Sequence, residues 1–303
     1  MPHPSPTGSS PLPPRDGVDA AWVRFPDFSP WATVGAAIHA KYPEHWNRFA
    51  DRLRRGAVVD MHGTPVDAET PLRRGMTLFY YRDLPAEEPV PFTITVLYQD
   101  ENIVVADKPH FLATMPRGRH VTETATVRLR RQLNLPELTP AHRLDRLTAG
   151  VLVLTARAQV RGAYQELFAR REAEKEYLAL AAFRPALTLP LTRRSRISKA
   201  PGARQAHEIA GTPNAITHIS LDAHDGRTAR YRLRPETGRT HQIRIHMCAL
   251  GIPIVGDPLY PEVNPEPAGF TEPLQLLARR LAFTDPITGR HHVFVSEREL
   301  TLS

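Results

Sequence analysis

The sequence predicts an α+β protein: a mixed, mostly antiparallel sheet flanked by helices, preceded by a small N-terminal α/β module. Two observations predict it. Beyond residue 92 the β-rich runs follow one another with few helical stretches between them, the order of a mixed or antiparallel sheet rather than a doubly wound one. Residues 22–81 form a separate block of helix-spaced and strand-like runs, and the segment 83–92 that follows carries three prolines and three acids among few apolar residues.

The first fourteen residues hold six prolines together with Ser, Thr and Gly. That composition buries too little apolar area to offset the entropy of ordering, so residues 1–17 are expected to be a disordered tail. Residues 18–82 are expected to form the small module. Its elements are helices near Thr33 to Ala40 and His45 to Arg55, a strand Val58 to Met61, a turn at His62-Gly63 and a strand Thr77 to Arg82. Residues 83–92 read as a linker and residues 93–303 as one larger domain. The domain opens with a hairpin, Thr93 to Leu97 and Ile103 to Ala106, across Gln99-Asp100-Glu101-Asn102. Val151 to Thr155 is a wholly apolar strand, followed by a helix over about Arg157 to Arg171 that places Val160, Ala163, Tyr164, Leu167 and Phe168 at helical spacing. A strand Glu176 to Ala182 comes next. Ile216 to Ala223 and Thr228 to Arg234 form a hairpin turning at Asp225-Gly226, and His292 to Val295 is a further strand. Between them, Thr240 fits a helix N-cap, with Ile243, Met247 and Leu250 on one face, Arg244 off that face, and Gly251 at the stop.

A formal charge of +7 and a pI near 9.8 favour a polyanionic partner, whether RNA, DNA or an anionic membrane surface. The only lysines are Lys41, Lys108, Lys175 and Lys199, so the positive charge is almost all guanidinium, which can grip phosphate bidentately or stack on bases. GC-rich coding would produce the same bias. Cys248 is the single cysteine, which excludes an intrachain disulfide and a cysteine-clustered zinc site; it fits a small packed residue. His241 and His246 stand five apart, a poor helical spacing for one metal ion, and no HExxH pattern occurs, so no metal site is expected. Nucleotide-binding glycine patterns are absent too, and no cofactor is expected. No apolar run is long enough to span a bilayer and the opening residues lack a signal-peptide core, so a soluble, cytoplasmic protein is expected.

The chemistry concentrates in AHRLDRLTAGVLVLTA, residues 141–156, where a charged loop runs into an apolar strand and holds Asp145 between Arg143 and Arg146. Flanking guanidinium groups favour an ionised carboxylate, suited to nucleophilic work, although an arbitrary Arg-Leu-Asp-Arg string would more often be a surface salt-bridge loop. HRLDRLTAG resembles the signature loop of the RluA family of pseudouridine synthases. Two further segments are similar in the family's order: EKEYLALAAF at 174–183 and PETGRTHQIRIHMCALGIPIVGDPLY at 235–260. With DKP at 107–109, the resemblance spans roughly residues 92–300.

That resemblance implies the pseudouridine-synthase fold and an RNA uridine isomerase that needs no cofactor. It also implies Asp145 as the catalytic carboxylate, Tyr177 packing on the base, Arg244 pairing with Asp145, and Arg143 filling the place of a flipped uridine. Arg146, Lys108, Lys175, Arg239, His241 and Gln242 are expected along the RNA path. The RNA is expected to be ribosomal or transfer RNA, handled by a monomer. Residues 18–82 are loosely similar to the S4-type RNA-binding domains that precede this catalytic domain in some members. The chain departs from the family's pattern at Ala149, where many members have Ser, and at Leu277 and Asp285, where histidines are common. A noncatalytic RNA-binding protein would need the basic surface but no paired Asp145 and Arg244. A glycoside hydrolase would normally need two carboxylates where the signature loop supplies one.

Overall fold

The computed structural model describes residues 10–84, 86–265 and 269–302. The chain divides into two compact units, Met1–Ala86 and Glu87–Ser303, each with its own apolar core.

In the first unit, β1 (Ala21–Arg24), β3 (Thr77–Tyr80) and β2 (Val58–Val59) form an antiparallel sheet in the order β1-β3-β2, with α1 (Val34–Lys41) and α2 (Trp46–Arg54) contributing to its core. Thr33 caps α1 by accepting the Ala36 N–H at 3.3 Å. Val34, Ala37, Ile38, Phe49 and Leu53 pack with Val23, Phe25, Val58 and Leu78. The turn at Gly63 follows from the Asp60 carboxylate, which accepts the N–H groups of His62 and Thr64 at 2.8 and 3.0 Å. Both strands are shorter than expected: β2 stops at Val59 and β3 at Tyr80.

Residues 10–17 are not a loose tail. Arg15 and Val18 exchange two backbone hydrogen bonds of 2.9 Å, the Arg15 guanidinium lies 3.7 Å from the Tyr81 ring centroid, and the Tyr81 hydroxyl donates to the Pro13 carbonyl at 2.7 Å. Composition understates such order because one distant tyrosine supplies two of the anchors. Residues 1–9 of the expected tail and Pro85 of the expected linker lie outside the described residues. The rest of the linker's second half is also tied down. The Glu87 carboxylate accepts the N–H groups of Val121, Thr122 and Glu123 at 2.9, 2.7 and 3.2 Å, and Arg128 donates to the carbonyls of Val90 and Phe92 at 2.6 and 2.8 Å.

Among the described residues the second unit holds one eleven-stranded sheet. Its strands are β4 (Thr95–Gln99), β5 (Ile103–Lys108), β6 (Thr139–Pro140), β7 (Ala149–Thr155), β8 (Glu174–Ala182), β9 (Leu191–Ser198), β10 (His207–Ile209), β11 (Ala215–His224), β12 (Thr228–Pro235), β13 (Leu276–Thr284) and β14 (His291–Val295). The main path runs β10-β9-β11-β12-β8-β13-β7-β5-β4, with β14 beside β13 and β6 beside β7. All named pairings are antiparallel except β13 with β7, which gives the expected mixed, mostly antiparallel sheet.

The unbroken apolar run of β7 has a simple cause: both faces of the sheet are covered there. Val151 and Val153, with Ile103 and Val105, meet Tyr164 and Leu167 of α4 (Arg161–Ala169). Leu152 and Leu154, with Val104 and Ala106, meet Ala125 and Leu129 of α3 (Ala125–Leu133) and Ile243 and Met247 of α5 (Gln242–Ala249). The helix expected over 157–171 is shorter than its periodicity, because residues Ala158–Val160 form a 3₁₀ turn with no side-chain cap. The sequence did not single out β13, which lies between β8 and β7, nor α3, β6, β9 and β10.

Gly150, the last residue of the HRLDRLTAG segment, is where β7 meets β13. It sits at φ +113°, and a Cβ there would lie 2.2 Å from the Ala278 carbonyl oxygen. Gly150→Ala should therefore destabilise the protein by about 2–3 kcal/mol through backbone strain and forced separation of the two strands, read as a lowered urea midpoint. A midpoint equal to the parent's would show that β7 and β13 can part without cost.

Candidate active site

The loop 141–148 leads into β7, and its shape is set by the segment after β5. The Thr114 hydroxyl donates to the Leu144 carbonyl at 2.7 Å and accepts the Leu144 N–H at 3.1 Å. The Lys108 ammonium, fully buried, donates to the carbonyls of Pro109, Leu112 and Arg146 at 3.0, 2.7 and 3.3 Å, so each of its three N–H groups has an acceptor. His110 Nδ1 lies 2.7 Å from the Leu147 carbonyl and carries the proton there, while Arg146 Nη1 donates to the Phe111 carbonyl at 3.2 Å. The Thr148 N–H closes a turn on the Asp145 carbonyl at 3.0 Å. Residues on both sides of Asp145 are thus tied to residues 108–114. Burial pushes the Lys108 pKa down to about 7 against the opposing charge of Asp145, and pushes His110 down to about 4, which leaves that imidazole neutral at pH 7.

The Asp145 side chain is 36% exposed. Its Oδ2 faces Arg244 Nη1 at 3.5 Å and His241 Nε2 at 3.9 Å, whereas Oδ1 has no hydrogen-bond partner among the described residues. Arg244 is itself only 3% exposed and makes its closest contacts with a residue that the sequence reading left without a role. Its Nε and Nη2 donate to Asp257 Oδ2 and Oδ1 at 2.8 and 2.6 Å in a parallel fork. Asp257 Oδ1 is fixed in turn by the N–H groups of Leu259 and Tyr260 at 2.8 and 3.2 Å. Burial lowers the guanidinium's pKa, but the bonds to Asp257 and the charges of Asp257 and Asp145 outweigh it and raise the pKa. Arg244 therefore bridges two carboxylates, one buried and close, the other part-exposed and farther. The expected pairing with Asp145 is the longer arm of that bridge. A lone acid inside GIPIVGDPLY was the signal available for Asp257.

His241, not Thr240, stands at the start of α5, with a left-handed backbone at φ +56° and no side-chain cap. The turn is organised instead by Gln242. Its Oε1 accepts the Arg239 N–H at 3.1 Å and the Thr237 hydroxyl at 2.7 Å, and its Nε2 donates to the Ile216 carbonyl and Thr217 Oγ1, both at 2.9 Å. Gly251, at φ +73°, ends the helix as the sequence suggested, and Ile243, Met247 and Leu250 share the main core. The His241 side chain is 10% exposed, with Nδ1 2.9 Å from the Tyr260 hydroxyl. Burial pushes its pKa down to about 4 despite Asp145, so at neutral pH the contact between Nε2 and Asp145 joins a neutral imidazole to a carboxylate and is not an ion pair. His246 points elsewhere, between Thr217 Oγ1 at 2.9 Å and Ser195 Oγ at 3.0 Å. Cys248 is half-buried against an apolar cluster, and burial raises its thiol pKa.

Tyr177 lies on β8, register-paired with Leu233 and Ala278 and packed on the main core. Burial first, and the charge of Asp145 second, raise its phenol pKa, so it stays protonated at neutral pH. Lys175, two residues away and on the same face of β8, is half-buried, and burial and Arg171 lower its pKa. Arg143 and Arg239 are exposed, Arg239 with Nε on the Asn214 carbonyl at 3.2 Å. Lys108 and Gln242, both expected along the RNA path, are buried, and their donors are consumed by backbone and neighbouring hydroxyls. The departures from the family pattern are explained by packing. Ala149 and Leu277 are register partners across β7 and β13, buried with Leu178, Leu180 and Leu300, so an apolar pair fills both places together. Asp285 accepts the Tyr164 hydroxyl at 2.6 Å and the N–H groups of Ile287 and Thr288 at 2.8 and 2.9 Å.

Replacing Arg244 by Met leaves the Asp257 charge buried and unpaired, which should cost about 3–5 kcal/mol of stability. Adding Asp257→Asn should restore part of that loss in thermal unfolding without restoring turnover. Additive losses in the double variant would deny that the two side chains form one unit.

A family model described as RNA pseudouridylate synthase matches residues 102–249. Over 215 residues the chain is 34% identical to the dual-specificity RNA pseudouridine synthase RluA of Salmonella typhi, covering 69% of this chain and 94% of that protein. It is 30% identical over 283 residues to ribosomal large subunit pseudouridine synthase D of Xanthomonas campestris pv. campestris, covering 87% and 85%. In fold it is similar to human RNA pseudouridylate synthase domain-containing 1, with a TM-score of 0.57 at 24% identity over 70% of this chain and 86% of that one. Similarity of this length and identity, carried by a mostly antiparallel sheet that presents Asp145 beside a buried arginine, shows that the chain belongs to the RluA family of RNA pseudouridine synthases, isomerases that convert uridine to pseudouridine in RNA.

Proposed function

We propose that Asp145 is the catalytic carboxylate of this isomerase, acting on a flipped uridine of ribosomal or transfer RNA without a cofactor. The observation that carries the reading is the asymmetric setting of Asp145: Oδ2 faces Arg244 and His241, and at this part-exposed site Oδ1 has no hydrogen-bond partner among the described residues. The reaction breaks the bond from C1′ to N1, turns the uracil and joins C1′ to C5, from which one proton leaves while N1 takes one up. It involves no net oxidation, so an ionised carboxylate near the anomeric carbon or the uracil ring meets its main requirement. Tyr177, kept protonated by its surroundings, is suited to pack on the detached base and poorly suited to act as a general base. A stacked uridine cannot present these atoms, so it must leave its stack. Arg143, exposed on the loop that carries Asp145, supplies a planar cation to fill the vacated place.

The match to ribosomal large subunit pseudouridine synthase D extends over more of the chain than the match to RluA, which favours ribosomal RNA as the target. Mapping pseudouridines in ribosomal and transfer RNA from cells with and without the gene tests this choice. Among the described residues no helix is long and apolar enough to cross a membrane; the enzyme is read as a monomer working in the cytoplasm. The first unit is read as an S4-like RNA-binding module. Its Arg48, Arg73, Arg74 and Arg82 are exposed, while Arg52 pairs with Asp83 at 2.6 Å and Arg54 and Arg55 share Asp51 at 3.3 and 3.0 Å.

Asp145→Asn should lower turnover by roughly 10⁴-fold or more, with RNA affinity nearly intact, in an assay of tritium release from RNA labelled at uracil C5. Turnover at a substantial fraction of the parent rate would remove Asp145 from its role. Arg143→Ala should slow modification of folded RNA more than of a flexible oligonucleotide, where unstacking is easier; equal losses would assign Arg143 to chemistry or folding. A protein lacking residues 1–84 should bind full-length RNA more weakly and with a shallower salt slope, yet modify short RNA at saturation. If affinity and slope both match the intact chain, the first unit does not bind RNA.

A further inference from the structure

Two donors converge on one oxygen of Asp145, and only one of them belongs to the arginine already described. A single N–H at 3.5 Å is a weak restraint on a carboxylate, whose terminal torsion is broad and nearly two-fold. The second donor is available only if the His241 proton sits on Nε2, which faces Asp145 Oδ2 at 3.9 Å.

The tautomer is set jointly by Tyr260 and the charge of Asp145. Its hydroxyl lies 2.9 Å from His241 Nδ1 and 2.9 Å from the Ala206 carbonyl, and it accepts the Ala206 N–H at 2.9 Å. One hydroxyl hydrogen cannot serve both acceptors. Given to Ala206, it leaves Nδ1 to carry the imidazole proton and turns the lone pair of Nε2 toward a negative carboxylate. Given to Nδ1, it places an N–H dipole toward that carboxylate and forfeits only one neutral hydrogen bond, so the electrostatics select the second arrangement. The charges around the ring are Asp145 and Asp257, which favour its protonation, and Arg244 and Lys199, which oppose it; burial leaves the ring neutral.

Resting on the assignment of Asp145 as the catalytic carboxylate, we propose that His241 is a positioning residue: Tyr260 fixes its tautomer, and its Nε2–H, with Arg244, holds Asp145 Oδ2 so that Oδ1 meets the substrate. The left-handed backbone at φ +56° fits this purpose, because a β-branched or bulky residue enters that region only with strain while the ring must turn back from the start of α5 toward the 141–148 loop. His241 was first read as an RNA contact; at 10% side-chain exposure it reaches Asp145 and offers little surface to a phosphate.

The test uses the full-length protein and a short RNA labelled at uracil C5, with kcat, KM and the pH–rate profile measured for His241→Ala, His241→Gln and Tyr260→Phe. His241→Ala should lower kcat by about a hundredfold with KM unchanged, the size expected when a reacting group is misplaced by about 1 Å. The acid limb of its profile should move to higher pH, because the carboxylate loses an N–H that favours its charged form. His241→Gln, whose amide N–H can occupy the place of Nε2, should recover most of the loss. Tyr260→Phe should lower kcat at unchanged KM and move the acid limb in the same direction. A raised KM at parental kcat would make His241 an RNA contact, and equal losses for Ala and Gln would reduce it to a structural residue; either result overturns the proposal. If the Ala variant does not fold, a parental rate and profile for Tyr260→Phe overturn it equally. An active Asp145→Asn would fail the catalytic assignment itself, a result separable from every outcome at His241.

Discussion

The charge set against Asp145 depends on one buried guanidinium. Arg244 lies at the centre of a short helix that is enclosed on nearly every side, an environment hostile to an isolated charge. The forked pair with Asp257 makes that burial tolerable, and the backbone N–H groups that hold Asp257 make the fork rigid. Only then is the third side of the guanidinium free to face Asp145. The geometry divides two carboxylates that look alike in sequence: Asp257 neutralises and aims the arginine, and Asp145 keeps Oδ1 without a hydrogen-bond partner among the described residues.

The loop bearing Asp145 is anchored by different chemistry. Thr114, Lys108 and His110 all spend their polar atoms on its carbonyls or N–H groups, and the nearest charged partner of Asp145 comes from α5 rather than from the flanking arginines. Backbone on both sides of Asp145 is held in place while Arg143 is left exposed, an arrangement that suits the roles proposed for the two residues. Substitutions that look like departures from the family leave this arrangement intact. Ala149 and Leu277 are apolar register partners in the contact between β7 and β13, so that contact leaves no side-chain polar atom to satisfy.

Much of this was legible in the chain because its causes are local. The Asp100, Asp60 and Asp225 turns, the Thr33 cap and the Gly251 stop are written in residues a few positions apart, and each side chain bonds its own neighbours. The apolar run of β7 reads as a strand because both faces of the sheet are covered. Family resemblance then singled out Asp145, Tyr177 and Arg244, three residues whose motifs are long enough to be specific.

What the sequence could not determine is which polar residues face solvent and which are consumed. Lys108 and Gln242 read as donors for RNA, yet the fold consumes their N–H groups: Lys108 bonds the nearby Leu112 carbonyl and the distant Arg146 carbonyl, and Gln242 bonds Ile216 and Thr217 across the chain. Periodicity marks apolar faces, but a buried charge breaks periodicity and so resembles a surface residue until its partner is known, which is why Arg244 could be placed off the apolar stripe while Asp257 received no role. The identity of the candidate reactive segments was thus a local property of the sequence; the pairing of Arg244 with Asp257, the burial of His241 and the engagement of one Asp145 oxygen were decided only by tertiary structure, because each depends on the desolvation and distance of groups that the fold brings together from separate parts of the chain.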